Sequence, residues 1–229
     1  MPVPLGAPEK AEIQALHDAK AGTGLRLLAI AWRPAGERTR IFKEDEGGLI
    51  FGGFCLFMDP PKPSATAAVA DLLKAGLAIK IVSGDAPPVV EHLVASLGIP
   101  LSGIITGDEV ASLDEAALAV RVRQSDMFAR ITPDQKTRIV RALIAGGRTV
   151  GFIGDGINDA PAIRAADIGL SVEGATDVAR EAADMILLAP DLEVLADGVA
   201  EGRRTFANIM KYIRMGTSSN FGRAKAPAA

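Results

Sequence analysis

From Ser64 onward, short apolar runs alternate with amphipathic stretches, and this alternation is the strongest constraint on what the chain can fold into. Helical patterning is expected over Ser64–Ala75, Pro87–Leu97, Asp114–Arg123, Thr132–Ala145, Ala160–Ala165 and Asp177–Ala182. Between these lie strand-like segments at Ala78–Val82, Gly103–Thr106, Met127–Arg130, Thr149–Ile153, Ile168–Val172 and Met185–Leu188. Strands that alternate with helices need crossover connections, so the pattern predicts an α/β fold with a mostly parallel sheet. The clearest helix start is at Thr132: proline follows at the first helical position, and Gln135 completes a capping box. Leu192–Met215 reads as one long helix.

Upstream, Lys10–Ala21 has moderate helical patterning. Leu25–Trp32, Thr39–Lys43 and Leu49–Met58 read as strands, with a turn at Asp45–Gly48. The prolines at 60, 61 and 63 stop the last of these. The final residues, Arg223–Ala229, read as a frayed tail.

Composition excludes several classes. With 48% apolar and 23% charged residues the chain is an ordinary globular sequence, and a net charge of −3 argues against a nucleic-acid partner. The single cysteine, Cys55, cannot form an internal disulfide and is expected to be a buried thiol, in keeping with a reducing cytoplasmic setting. The N-terminus has no apolar signal core, and no run of about 18 apolar residues could span a bilayer.

In open parallel sheets, ligands bind beyond the carboxyl ends of the strands. Four polar segments stand at such ends here: Asp59, Ser83-Gly84-Asp85, Thr132–Lys136, and Gly154-Asp155-Gly156-Ile157-Asn158-Asp159. The hexapeptide offers carboxylate and amide oxygens on a glycine-loosened backbone, which suits Mg²⁺. A polar turn after a buried strand has the same composition. Ser83 beside Gly84 can hydrogen-bond a phosphoryl oxygen, although Ser-Gly-Asp turns are common. Lys136, one turn into its helix, can neutralise phosphoryl charge or simply be a solvated lysine.

The order of the motifs carries more than any one of them. Asp-Pro-Pro-Lys at 59–62, Ser-Gly-Asp at 83–85, Thr-Pro-Asp-Gln-Lys at 132–136 and Gly-Asp-Gly-Ile-Asn-Asp at 154–159 follow one another, and NDAPAIRAADIGLSVEGATDVAREAADMILL continues the run. This series resembles the P-type cation-transporting ATPases of the haloacid dehalogenase superfamily, across roughly Gly24–Gly222. DPPKP, FARITPDQKTRIV and YIRMGTSSNFG are most similar to the magnesium-translocating branch. The resemblance implies a three-layer, mostly parallel sheet of haloacid dehalogenase type, preceded by a small partial nucleotide-domain tail. It implies a remnant nucleotide-binding domain at 1–48, a phosphorylation domain lacking its first strand at 49–204, and the start of a stalk helix with a divergent tail at 205–229.

The same resemblance implies Mg²⁺-dependent phosphoryl transfer from ATP, coupled in the family to ion transport. It assigns Asp155 as the principal Mg²⁺ ligand, with Asn158 and Asp159 shaping that site. Ser83 and Gly84 would contact the phosphoryl group, Asp85 would support their loop, and Lys136 would stabilise phosphoryl charge. Arg26 would reach the ATP phosphates, and Asp59 would sit at the hinge of the nucleotide and phosphorylation domains. The family phosphorylates the aspartate of an Asp-Lys-Thr-Gly-Thr motif, and these 229 residues contain none. Three readings remain: a pump fragment truncated at both ends and inactive alone, a non-catalytic partner of a split or intact pump, or a soluble phosphatase of the same superfamily. The family is membrane-embedded with this part on the cytoplasmic side, so this chain is expected to be cytoplasmic or peripheral. The expected partners are ATP and the missing membrane and nucleotide-domain portions.

Overall fold

A computed structural model describes residues 5–34, 36, 40, 42–58, 60–189 and 192–223, with only the backbone described over 219–223. The chain folds as two units, residues 1–62 with 80–150 and residues 63–79 with 151–229.

In the first unit, α1 (Ala7–Ala21) precedes an antiparallel hairpin of β1 (Leu25–Trp32) and β2 (Ile50–Met58). The register runs from Leu25 opposite Met58 to Trp32 opposite Ile50, with a bulge between Ile30 and Ala31. The His17 ring of α1 lies 5.9 Å from Phe54, which in turn meets Phe51 edge-on at 5.3 Å. The opposite hairpin face carries Leu28, Ile30 and Phe57, all exposed. Cys55 is half-buried rather than buried, because it stands opposite Leu28 on this open face. The strand expected over 39–43 falls partly outside the described residues; Phe42 is not in a strand, and Lys43 opens a 3₁₀ turn, Lys43–Glu46. Asp45 explains that turn, since its carboxylate accepts the Phe42 N–H and pairs with Arg33.

Along the main run of the chain, α2 (Ala65–Lys74) belongs to the second unit, and the first unit resumes with β3 (Ile81–Val82), α3 (Pro87–Ser96) and β4 (Ile104–Thr106). It continues through α4 (Gly107–Ser112), α5 (Glu115–Arg123), β5 (Met127–Ala129) and α6 (Pro133–Ala145). The strand order is β3-β5-β4, parallel throughout. The middle strand β5 is wholly buried, and Phe128 sits among Ile105, Val110, Leu118, Val122, Ile139 and Leu143. Thr132 caps α6 as expected: its side chain accepts the Gln135 N–H, and the Gln135 side chain accepts the Thr132 N–H at 3.0 Å. β3 is shorter than the apolar run 78–82 suggests. Only Ile81 and Val82 find β5 opposite them, while Lys80 turns its ammonium to the Ser125 carbonyl.

The second unit contains α2, β6 (Gly151–Ile153), a 3₁₀ turn (Ile157–Asp159), α7 (Ala160–Ala165), β7 (Ile168–Val172), α8 (Asp177–Ala182), β8 (Met185–Leu187) and α9 (Glu193–Arg223). Its sheet runs β6-β7-β8, again parallel. The parallel pairing expected from sequence is therefore present, as two three-stranded sheets, one in each unit. Helix α9 packs on α2 at its start and runs eight residues past Met215, to Arg223.

Candidate functional site

In the first unit, Ser83-Gly84-Asp85 leaves the end of β3 and meets the chain leaving β5. The Ser83 N–H donates to the Phe128 carbonyl at 2.9 Å. In return the Ile131 N–H donates to the Ser83 carbonyl at 3.0 Å, and the Arg130 N–H to the Asp85 carbonyl at 2.8 Å. Arg130 reaches this position with φ +55°, a left-handed conformation costing a non-glycine residue about 1–2 kcal/mol. The turn is thus held against its own backbone preference, and it leads directly into the capped start of α6, which carries Lys136. Lys136 is half-buried, one turn in, with its N–H donating to the Thr132 carbonyl.

Side chains tighten the same loop. Ser83 Oγ donates to Asp85 Oδ2 at 2.9 Å and accepts the Asp85 N–H at 3.1 Å. Arg26, from the start of β1, places its Nη2 2.6 Å from Asp85 Oδ1. The Arg26 side chain is 67% exposed, so the pair is solvent-screened and contributes little stability; its consequence is positional. Just before it, Gly24 has φ +80°, and a Cβ there would come within 2.3 Å of the His92 ring on α3. The tight approach of β1 to α3 therefore requires glycine at 24. Gly84 differs: a Cβ there would lie 3.6 Å from the Ile131 carbonyl, an ordinary contact. Packing within the unit does not demand a glycine at 84.

Structure thus brings Arg26, Ser83, Gly84 and Asp85 together, next to the helix that carries Lys136. Asp59 lies outside the described residues.

The second unit holds the Gly154–Asp159 loop. β6 ends as the Gly154 N–H donates to the Leu170 carbonyl at 3.2 Å, and the buried Ser171 hydroxyl donates to the Gly154 carbonyl at 2.9 Å. The Asp155 carbonyl accepts the Thr176 N–H at 2.9 Å and the Thr176 hydroxyl at 3.3 Å. The Asp159 carboxylate accepts the Gly156 N–H at 3.2 Å, and the Asp159 N–H donates to the Gly156 carbonyl at 3.0 Å. The backbone around Asp155 is therefore tied down while its carboxylate faces solvent, and Asn158 is likewise exposed. This donor set fits Mg²⁺, which takes one or two carboxylate oxygens and keeps several waters. Among the described residues no group of three or more His, Cys, Asp or Glu side chains is placed to hold a metal ion.

Gly154 is a steric necessity. A Cβ at this position would lie 2.5 Å from Asp159 Cβ and 2.9 Å from its Cγ. Gly154→Ala is expected to destabilise the second unit by about 1–3 kcal/mol, the usual cost of overpacking. Urea denaturation followed by the signals of residues 151–187 measures this, and an unchanged midpoint would contradict the geometry.

Sequence reasoning missed three contributors: Arg130, Ser171 and Thr176. Each acts through backbone or buried hydrogen bonds, which residue type alone does not announce. Arg130 lay next to a recognised motif and could have been suspected from its place between a strand end and an N-cap.

Comparison with known proteins decides the family. The pattern of the haloacid dehalogenase-like hydrolases matches residues 15–167. The chain belongs to that family. It is also 49% identical over 202 residues to a magnesium-transporting ATPase, P-type 1, of Salmonella typhimurium, covering 87% of this chain and 22% of that protein. The protein of the same description from Escherichia coli K12 is 45% identical over 221 residues, covering 96% and 25%. A probable cation-transporting ATPase F of Mycobacterium tuberculosis is 37% identical over 208 residues, covering 87% and 23%. The expected kinship with the P-type cation-transporting ATPases holds, and identity is higher to the magnesium transporters than to this cation-transporting relative. The chain spans about a quarter of the length of these relatives. Among the described residues no helix is long and apolar enough to cross a membrane. Haloacid dehalogenase-like and P-type enzymes generally use Mg²⁺, which agrees with the donor chemistry at Asp155.

Proposed function

We propose that this chain is the phosphoryl-contacting, Mg²⁺-binding part of a magnesium-type P-type ATPase, and that it does not turn over by itself. Residues 1–48 act as the end of a nucleotide-binding domain, 49–204 as the phosphorylation domain, and 205–229 as the beginning of a stalk. The observation that carries this reading is the loop in which Ser83 and Arg26 are both hydrogen-bonded to Asp85 and whose backbone is clasped by Arg130 and Ile131. Phosphoryl transfer is catalysed mainly by positioning and charge stabilisation. A rigid hydroxyl, a nearby guanidinium and a helix-borne ammonium are suitable parts.

In this reading Ser83 donates a hydrogen bond to a phosphoryl oxygen. Gly84, whose missing side chain serves no packing need within its unit, lets that oxygen approach the backbone. Asp85 holds Ser83 and Arg26 in place, Arg26 orients toward the phosphates of ATP, and Lys136 offsets their charge. Asp59 occupies the position at which the family hinges its nucleotide and phosphorylation domains. Asp155 holds Mg²⁺, with Asn158 and Asp159 fixing the loop around it. When bound, Mg²⁺ supplies neutralisation of phosphoryl-oxygen charge. The covalent step also needs a nucleophilic carboxylate. The Asp-Lys-Thr-Gly-Thr motif that supplies it in the family is not among these 229 residues, so ATP and the remaining portions of a pump are the partners this reading requires.

The test is direct. Incubated with γ-labelled ATP and Mg²⁺, the chain alone should acquire no hydroxylamine-sensitive acyl phosphate and should not hydrolyse para-nitrophenyl phosphate above background. Label on the chain would overturn the reading. Phosphatase activity lost on Asp155→Ala would instead establish a self-sufficient phosphatase.

A further inference from the structure

Gln135 does more than complete the N-cap of α6. Its side-chain oxygen accepts the Thr132 N–H at 3.0 Å, and its side-chain nitrogen donates to the Gly107 carbonyl at 2.8 Å. One partner is a donor and the other an acceptor, so together they fix which end of the amide faces which. Gly107 opens α4 directly after β4. The backbone is tight at the same place: a Cβ on Gly107 would overlap the Arg130 carbonyl oxygen and lie 2.9 Å from Gln135 Oε1. The end of β4 is therefore pressed onto the turn that leaves β5, and that approach requires glycine at 107.

Three successive N–H groups of that turn are committed. Those of Arg130 and Ile131 go to the Asp85 and Ser83 carbonyls, and that of Thr132 goes to Gln135. The left-handed residue, Arg130, stands at the head of the series. Gln135 thus joins the end of β4 to a turn that already holds the loop after β3, and Lys136 is the next residue. A capping box alone does not call for glutamine, because glutamate serves it equally well. Only glutamine has an N–H to give to Gly107. A carboxylate in its place would set a second oxygen against the carbonyl oxygen.

We propose that Gln135 is a positioning residue, whose amide fixes the start of α6, and with it Lys136, against the Ser83–Asp85 loop. This rests on the reading in which Ser83 and Lys136 meet a phosphoryl group. The next turn of α6 is held separately, since Arg138 donates to the Val110 and Leu113 carbonyls at 2.9 and 3.0 Å and pairs with Glu115. Loss of the Gln135 link should therefore loosen the turn without undocking the helix.

Gln135→Met and Gln135→Glu, compared with the unmodified full chain and with inorganic phosphate as the probe, test it. At neutral pH both variants should bind phosphate on the order of 3–10-fold more weakly, the factor that one hydrogen bond carries. Amide exchange at Arg130 and Ile131 should accelerate in both, with far-UV circular dichroism unchanged. Gln135→Glu should then recover as pH falls through the glutamic acid range, about 4.3 or somewhat above, because a protonated carboxyl can again donate to Gly107. Gln135→Met has no proton to gain and should not recover. The other ionisable groups on the joined elements, Asp134, Lys136 and Arg138 on α6, Arg130 on the turn and Asp108 and Glu109 on α4, are common to all three chains, so their titration cancels in the comparison. Unchanged phosphate affinity in both variants would overturn the proposal. So would weakening by Gln135→Glu alone, which would assign the effect to charge, or failure of that variant to recover at low pH. If the unmodified chain binds phosphate and Lys136→Ala weakens it while the Gln135 variants do not, only the positioning role falls. If the unmodified chain does not respond to phosphate at all, the phosphoryl-contact reading falls and the positioning role with it.

Discussion

Asp155→Ala is expected to abolish Mg²⁺ binding to the Gly154–Asp159 loop while leaving the second unit folded. The loop's architecture does not depend on the carboxylate that the substitution removes. Its backbone is held by Ser171, Leu170 and Thr176, and its internal turn by Asp159 and Gly156. Asp155 contributes its carbonyl to that framework, and the carbonyl survives in alanine. Loss of even an outer partner of a metal site costs 10–100-fold in affinity, and loss of the principal ligand should be at least on the order of 100-fold. Mg²⁺ titration followed by the amide signals of residues 154–159 measures it. Asp155→Asn, which keeps one oxygen but loses the charge, should fall between. Equal affinity in the alanine variant and the unmodified chain would remove Asp155 from the site.

Phe128→Ala is expected to lower the stability of the first unit by about 3–5 kcal/mol, the usual range for truncating a buried phenylalanine. Phe128 is fully buried at the centre of the middle strand, with Val82 and Ile105 beside it on either strand. The void cannot fill easily, because α5 and α6 that cover it are braced independently. Arg138 ties α6 to Glu115 at 2.7 Å and to the carbonyls of Val110 and Leu113. Against a typical total of 5–15 kcal/mol such a loss is severe. Guanidinium denaturation gives the number, and a loss below about 1 kcal/mol would show that the core relaxes around the cavity. Because the Phe128 carbonyl accepts the Ser83 N–H, amide exchange at Ser83 should accelerate in the same variant.

Much of this site could be read before any coordinates, for reasons that differ by residue. The start of α6 was legible because its signals are local: a threonine, a proline and a glutamine within four positions determine an N-cap without reference to the rest of the chain. The same logic was available at Thr106 and Glu109, which form an equally complete capping box, yet α4 was not anticipated. That helix is only six residues long and follows its strand without a break, so its apolar periodicity has no room to show. The junction between Ser83–Asp85 and Arg130–Ile131 was legible only as two strand ends. What joins them is a backbone exchange between residues some 45 positions apart, set by the pairing of β3 with β5. The salt link from Arg26 to Asp85 depends on how the hairpin docks, and spacing carries no record of that. α9 runs on from Met215 to Arg223 through Gly216 and Gly222, which weaken a helix but do not stop it as a proline would.

The strand order of the first unit also bears on how the protein is made. In β3-β5-β4 the middle strand is the last of the three in the chain. Until residues 127–129 emerge from a ribosome, β3 and β4 have no partner to pair with, and closing that connection is slow because it joins distant parts of the chain. The second unit's β6-β7-β8 order lets each strand pair with its predecessor as it appears. The Ser83–Asp85 loop is therefore assembled late in its own unit, whereas the Asp155 loop, which needs only β7 and Thr176, can form soon after it is synthesised.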